Sequence, residues 1–386
     1  MEALSGVAQP LLDDAASTGI AELDDALSGL FWGDNVVFEV ADPSTAGPFY
    51  RAVAAVERQF DQRLYVSLSE GRSTLARFEV IDARPGGKVG QPAPLLREIV
   101  ERCRQGERNL ILFEPMEAMI ERWGSDVAAR FFAHCCPQLL DIGAIAYWSV
   151  PSGELYPGLR RTIEEVTQCV LVVGDSRLRL AKAEGRPPGV EGSMFRYREA
   201  DGLPLLTPAP VAARVGAALR AARIQRQLSQ SELARLAGVS PSAISQAERG
   251  QRGLSLETLL ELTGKLGMTL DELLRGEVVT GYRLGRRHHP RSGREGSRQP
   301  LALLDDPAAG LRGYLVHLPP RGSGSPHIAH KGTELVAVAN GLVQVVLANG
   351  RPVLRRGELL LVEATTIEQW RNLAPSEATL FWILRD

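Results

Sequence analysis

The sequence predicts a multidomain protein: a parallel α/β domain, then an all-α bundle, then an all-β barrel. Three observations predict it. Over 1–205, short β-branched runs alternate with helical patterns, the arrangement of a parallel sheet with crossover helices. Over 211–276, apolar residues recur at helical spacing in short segments that open on capping residues. Over 301–386, runs such as LVAVANG, LVQVVLANG, LLLVEAT and ATLFWIL alternate apolar and polar positions, the pattern of a small β-barrel.

A chain of 386 residues exceeds what one core usually serves, and three domains fit its length. With 44% hydrophobic and 23% charged residues and a net charge of −2, the composition is that of an ordinary globular protein, neither disordered nor fibrous. The charge is uneven: 21 basic against 30 acidic side chains over 1–210, 9 against 6 over 211–275, and 14 against 10 over 276–386. The middle block is therefore mildly basic. No apolar run reaches the roughly 18 residues of a membrane span and the N-terminus, MEALSGVAQPLLDD, is no leader, so a cytoplasmic protein without membrane contact is expected. Cys103, Cys135, Cys136 and Cys169 have the spacing of neither a zinc knuckle nor a disulfide framework and are expected to be reduced and mostly buried. Two joints divide the chain. LPLLTPAP (203–210), with Pro204, Pro208 and Pro210, reads as an extended connector, and the arginine-rich stretch 277–300 as a linker.

In the first block, TGIAELDDALSGLFWGDNVVFEV (18–40) resembles the opening of RecA/KaiC-type ATPase domains. RLYVSLSEGRSTL (63–75), NLILFEPM (109–116), GAIAYWSV (143–150) and CVLVVG (169–174) resemble later strands of that RecA-like parallel sheet. The resemblance implies a P-loop after Val40, and a P-loop needs glycines, a lysine and a magnesium-binding hydroxyl. Here Ala41 and Ser44 stand at glycine positions, and Gly47 and Pro48 replace the lysine and the threonine. Glu114 takes the Walker B position, and of the paired glutamates only Glu70 remains, beside Ser69. The expectation is a fold that persists without ATP hydrolysis, a platform for dimerisation or partner binding rather than an ATPase. No nucleotide or other cofactor is expected there, and weak binding of another anion at the helix N-terminus is the alternative.

In the second block, Val211, Val215, Leu219 and Ala222 form one helical row; Ser229 and Glu232 make a capping box; Leu233, Leu236 and Val239 point inward. Gly238 permits a sharp turn, and Ser240 with Pro241 starts the next helix. Thr269 and Glu272 would cap a fifth, short helix. The run LSQSELARLAGVSPSAISQAERGQRGLSLETLLELTGKLGMTLDELL closely resembles the Cro/cI-type (XRE) helix-turn-helix family over about 60 residues. The resemblance implies that 241–249 is a recognition helix in the major groove of double-stranded DNA. With Ile244 as inward anchor, Pro241, Ser242, Ser245 and Gln246 would meet base edges, and Gln230 matches a position that contacts phosphate. Among Arg220, Arg223, Arg226, Arg249 and Arg252, the phosphate grips expected first are Arg249 and Arg252. The bland alternative is a bundle that only packs.

In the third block, HIAHKGTELVAVANG (327–341) and GELLLVEATTIEQWRN (357–372) resemble the two motifs of the cupin family. A metal-binding cupin holds roughly three histidines and a glutamate in its barrel. Here Ile328 replaces the first histidine, Glu368 the last, and His327 stands one residue off. His330, Glu334 and Glu368 remain as ligands for a divalent metal, against a metal-free pocket or a plain core. Together the resemblances imply a DNA-binding transcription regulator, homodimeric, with an effector-sensing cupin that takes a small molecule, and no enzyme activity. The rivals are a metal-dependent cupin enzyme carrying a DNA-binding appendage and an antitoxin or phage-type scaffold.

Overall fold

The computed structural model describes residues 15–69, 77–87, 89–152, 157–174, 176–186, 190–275, 284–285, 300–306, 309–326, 328, 330, 332–363 and 365–385, apart from the side chains of residues 157, 271, 272 and 275. Glu70, His327 and most of the arginine-rich stretch, on which parts of the sequence reading rest, lie outside the described residues. Two compact units emerge, Met1–Tyr282 and Arg283–Asp386.

The first unit opens with α1 (Ala21–Leu27), β1 (Asn35–Val40) and α2 (Gly47–Ala55), followed by β2 (Gln62–Ser67), β3 (Glu79–Asp82), α3 (Pro92–Cys103) and β4 (Asn109–Phe113). Then come α4 (Met116–Trp123), α5 (Ser125–Asp141), β5 (Ile145–Pro151), α6 (Pro157–Val166), β6 (Cys169–Gly174), β7 (Arg177–Ala183), β8 (Met194–Ala200) and β9 (Leu203–Pro208). They form one nine-stranded sheet in the order β3-β2-β4-β5-β1-β6-β7-β8-β9. From β3 to β6 the pairing is parallel; from β6 to β9 it is antiparallel. The central strands are apolar almost throughout because both faces are covered, a requirement of parallel sheets. Val36, Phe38 and Val40 pack with α1 and α2, whereas Val37, with Phe113, Trp148 and Val150, packs under α3 to α6. The four cysteines are buried, and burial raises the thiol of Cys103 to about 12 and those of Cys135 and Cys136 well above their ordinary value.

The stretch read as an extended connector is largely β9, so the sheet runs past residue 205. Pro204 and Pro208 are compatible with this because β9 is an edge strand paired only with β8.

After Pro210 the chain is helical: α7 (Val211–Gln225), α8 (Gln230–Leu236), α9 (Pro241–Glu248), α10 (Leu256–Leu266) and α11 (Leu270–Arg275). Their common core is Leu219, Ala222, Leu233, Ile244, Leu262 and Leu273 with their neighbours. Val211, expected on the inward row, is instead 52% exposed at the first turn of α7. The capping box expected of Thr269 and Glu272 rests on a side chain outside the described residues.

The second unit is all β, with β10 (Leu301–Asp306), β11 (Leu311–Leu318), β12 (Ser323–Gly324), β13 (Thr333–Asn340), β14 (Leu342–Leu347), β15 (Val353–Arg355), β16 (Leu359–Val362), β17 (Ile367–Asn372) and β18 (Ala378–Arg385). Two antiparallel sheets, β10-β11-β18-β13-β16 and β12-β17-β14-β15, enclose a core that includes Val336, Val343, Trp370, Trp382 and Leu384.

Candidate nucleic-acid interface and the two degenerate ligand sites

The turn between α8 and α9 is set locally. Ser229 accepts the Glu232 N–H at 3.1 Å while the Glu232 carboxylate accepts the Ser229 N–H at 2.7 Å, so both ends of the capping box are made. Those bonds to Ser229, the backbone one first, hold the Glu232 carboxyl below the usual glutamate range. Gly238 has φ +64, a left-handed conformation that a Cβ disfavours, and it reverses the chain after α8. Ser240 then caps α9 by accepting the Ala243 N–H at 3.1 Å, with Pro241 at the first helical position.

Packing fixes how α9 is presented. Ile244 is fully buried, as expected of the anchor. Gly216 of α7 lies so close to α9 that a Cβ there would stand 2.0 Å from the Ala247 carbonyl oxygen. Beside this contact, Glu248 is buried and held by a network that sequence reasoning missed. Arg223 Nε donates to one Glu248 oxygen at 2.6 Å, its second amino group to the other at 3.1 Å, and Gln230 Nε2 donates to the same oxygen at 2.8 Å. The hydrogen bond to Glu248 raises the Arg223 pKa above the usual arginine range. The signal was present: Glu248 is the one acid of α9 and lies one turn beyond Ile244, on the buried side.

Arg223, considered as a phosphate grip, is therefore an internal strut, only 13% exposed at its side chain. Arg226 is likewise bonded, to the carbonyl oxygens of Ala222 and Leu266. Gln230 has its amide on Glu248, which orients it at the start of α8. Pro241, Ser242, Arg249 and Arg252 are exposed, and Ser245 and Gln246 are partly exposed. Arg249 leans on its own helix, Nε donating to the Ser245 carbonyl at 3.2 Å. The structure thus brings Pro241, Ser242, Ser245, Gln246 and Arg249 together on α9 and its cap, and sets Arg252 in the following turn.

The loop after β1 lacks the glycine-rich form of a P-loop. Pro43–Ala46 is a single 3-10 turn running straight into α2, and Gly47 sits in ordinary helical conformation at φ −52. Asp42 caps the turn, accepting the Ser44 N–H at 2.9 Å, and that bond lowers its pKa. The carboxylate thus accepts a backbone N–H at the start of this turn, a donor that an anion could otherwise use. Glu114, at the Walker B position, accepts the N–H groups of Leu68 and Ser69 and the Ser69 hydroxyl.

In the barrel, His330 and Glu334 meet, with Nε2 3.3 Å from Oε1 and side-chain exposures of 5% and 0%. Both Glu334 oxygens have donors: the Ile367 N–H at 3.0 Å and the Trp382 indole N–H at 2.8 Å. Glu368 does not join them. It is exposed while Ile367 and Trp370 are buried, because a register shift between β14 and β17 inserts one residue at this point. Ile328, at the lost histidine position, packs against the apolar core. Among the described residues no three His, Cys, Asp or Glu side chains are placed to hold a metal. Among the described residues the donors that remain together are one histidine and one carboxylate, fewer than the three or four ligands of the metal site in the resemblance.

Residues 219–273 match the family model described as helix-turn-helix, and this segment is a helix-turn-helix domain. No curated protein matches the chain. Among solved structures, the chain is similar to an HTH_3 family transcriptional regulator from Vibrio cholerae, at 19% identity over 46% of this chain and 97% of that one, with a TM-score of 0.22. It is also similar to a KaiC-like protein from the hyperthermophilic archaeon Pyrococcus horikoshii OT3, at 14% identity, 50% and 99% coverage and a TM-score of 0.41. A cupin 2 conserved barrel domain protein from Salinispora arenicola CNS-205 follows at 18% identity, 22% and 74% coverage and a TM-score of 0.20. No helix among the described residues is long and apolar enough to cross a membrane.

Proposed function

We propose that the protein is a sequence-specific transcription regulator that binds double-stranded DNA as a homodimer. The observation that carries this reading is α9: capped by Ser240, anchored by Ile244, braced by Arg223 and Gln230 through Glu248, and presenting Ser242, Ser245 and Gln246 with Arg249 beside them. Glutamine and serine at such positions read base edges, and the adjoining arginines grip phosphate. One helix-turn-helix buries too little surface for tight selective binding, so two copies about 34 Å apart, or a multiple of it, would sit on a two-fold site.

In this reading the nine-stranded domain is a platform that hydrolyses no nucleotide, and the barrel is a metal-free sensor of a small-molecule effector. Neither domain acts as an enzyme. The protein works in the cytoplasm, where it meets DNA. Light scattering of the free chain with a footprint on selected DNA tests the proposal. A dimer protecting two half-sites is expected, and a monomer protecting one undivided half-site would overturn it.

A further inference from the structure

The sheet face under α6 carries a polar cavity, on the face opposite the one that packs α1 and α2. Glu39 pairs with Val150 on one side and Val172 on the other, and Val172 pairs with Arg179, so these four residues form one row across β5, β1, β6 and β7. Between this row and α6 is a cavity of about 230 Å³. Leu159 and Ile163 supply part of its apolar side, and its charged lining is Arg160, Arg179 and Lys182 with the two carboxylates Glu39 and Glu164.

The charges there are unevenly matched. Lys182 is engaged, its Nζ donating to the Glu164 carbonyl at 2.7 Å and pairing with Glu184 at 3.2 Å. Arg160 pairs with Glu164 at 3.4 Å on an exposed helix face, where such a contact is loose. Arg179 has no ion pair within 4.0 Å among the described residues. Glu39, two strands along the same row, acts on it through its charge without forming an ion pair. Although Arg179 as a residue is exposed, its guanidinium is crowded enough by protein that desolvation lowers its pKa. Arg160 and Arg220 add to the lowering, against Glu39 and Glu191.

The geometry points to an oxyanion site: the cavity takes the phosphate or carboxylate group of a small ligand between Arg179 and Arg160. Guanidinium groups are suited to this because their paired N–H donors match the two oxygens of either anion. The volume is below the roughly 300–1,000 Å³ of ordinary ligand pockets, which limits the ligand to a few heavy atoms beyond its charged group. The site is independent of the DNA reading, since it would bind its anion in a chain that recognises no operator.

Calorimetric titration of the full chain with sodium phosphate, and separately with sodium succinate, tests the inference at constant ionic strength. Saturable binding of at least one is expected, about tenfold or more weaker in Arg179→Gln and in Arg160→Gln, and unchanged in Arg97→Gln on the remote helix α3. Binding of phosphate alone assigns a phosphate group; binding of succinate alone assigns a carboxylate. If Arg179→Gln does not fold, Arg160→Gln, on an exposed helix face, carries the comparison. No saturable binding of either anion, or affinity in both arginine variants equal to that of the unaltered chain, overturns the site.

Discussion

Gly216→Ala sets two effects of opposite sign against each other in one residue. Gly216 lies inside α7, where alanine is favoured over glycine by about 1 kcal/mol. Helix propensity alone therefore predicts a stabilised domain. The added Cβ would stand 2.0 Å from the Ala247 oxygen and 3.0 Å from its carbonyl carbon, so the helices must separate by about 1 Å to relieve it. The obstacle is backbone of α9, which has no rotamer to change. Overpacking costs about 1–3 kcal/mol, and a backbone obstacle puts this case at the upper end, which leaves a net loss of about 1–2 kcal/mol. That corresponds to a factor of about 5–30 in local opening. Hydrogen–deuterium exchange of the full chain, read on peptides covering α9, measures it directly. Because Ala247 adjoins Glu248, the same displacement loosens the Arg223 pair and lowers affinity for selected DNA. Unchanged or increased protection of α9 would refute the close packing of α7 on α9.

Three further outcomes are expected. Glu248→Gln leaves the Arg223 guanidinium without its carboxylate and costs about 3 kcal/mol in urea unfolding; a loss under about 0.5 kcal/mol would mean the pair bears no weight. Gln246→Ala costs about 1–3 kcal/mol on the selected site and little on random DNA, while Arg249→Ala weakens both and lowers the salt slope by about one; equal losses on both DNAs for Gln246→Ala would remove it from sequence readout. The chain releases no phosphate from ATP, and Gly47→Lys with Pro48→Thr does not restore turnover, because Asp42 still occupies the Ser44 N–H; turnover abolished by Glu114→Gln would contradict this.

What the sequence disclosed follows from how local each signal is. Strands β1, β2, β4, β5 and β6 were legible because central parallel strands are written as apolar runs. Strands β7, β8 and β9 were not, since Arg177, Arg179, Lys182, Arg196 and Arg198 interrupt them and prolines mark the last, as befits the antiparallel end of the sheet. The caps at Ser229 and Ser240 involve residues three apart and could be read directly. The brace from Arg223 to Glu248 spans 25 residues and became visible only once α7 and α9 packed. Glu368 was misplaced for a related reason: strand alternation alone puts it in register, and the inserted residue that turns it outward depends on the pairing with β14.

The two places where the sequence resembles a ligand site share a chemical feature. In each, a carboxylate at or beside a position associated with an anion or a metal is already satisfied by the chain's own donors: Asp42 by Ser44, Glu114 by Leu68 and Ser69, Glu334 by Ile367 and Trp382. A hydrogen bond to a charged group is worth about 1.5–3 kcal/mol, so any of these bonds that a metal or anion displaced would offset part of its binding. For Glu334, fully buried, the loss is largely undiscounted, and it would also leave the Trp382 indole N–H unpaired in the barrel core. For Asp42 and Glu114, nearer solvent, water softens the loss, but Asp42 would still set a negative charge against an incoming phosphate. Replacing the missing lysine, threonine or histidine therefore leaves in place the internal bonds that hold the loop after β1, the turn after β2 and the packing of β17 in their present form.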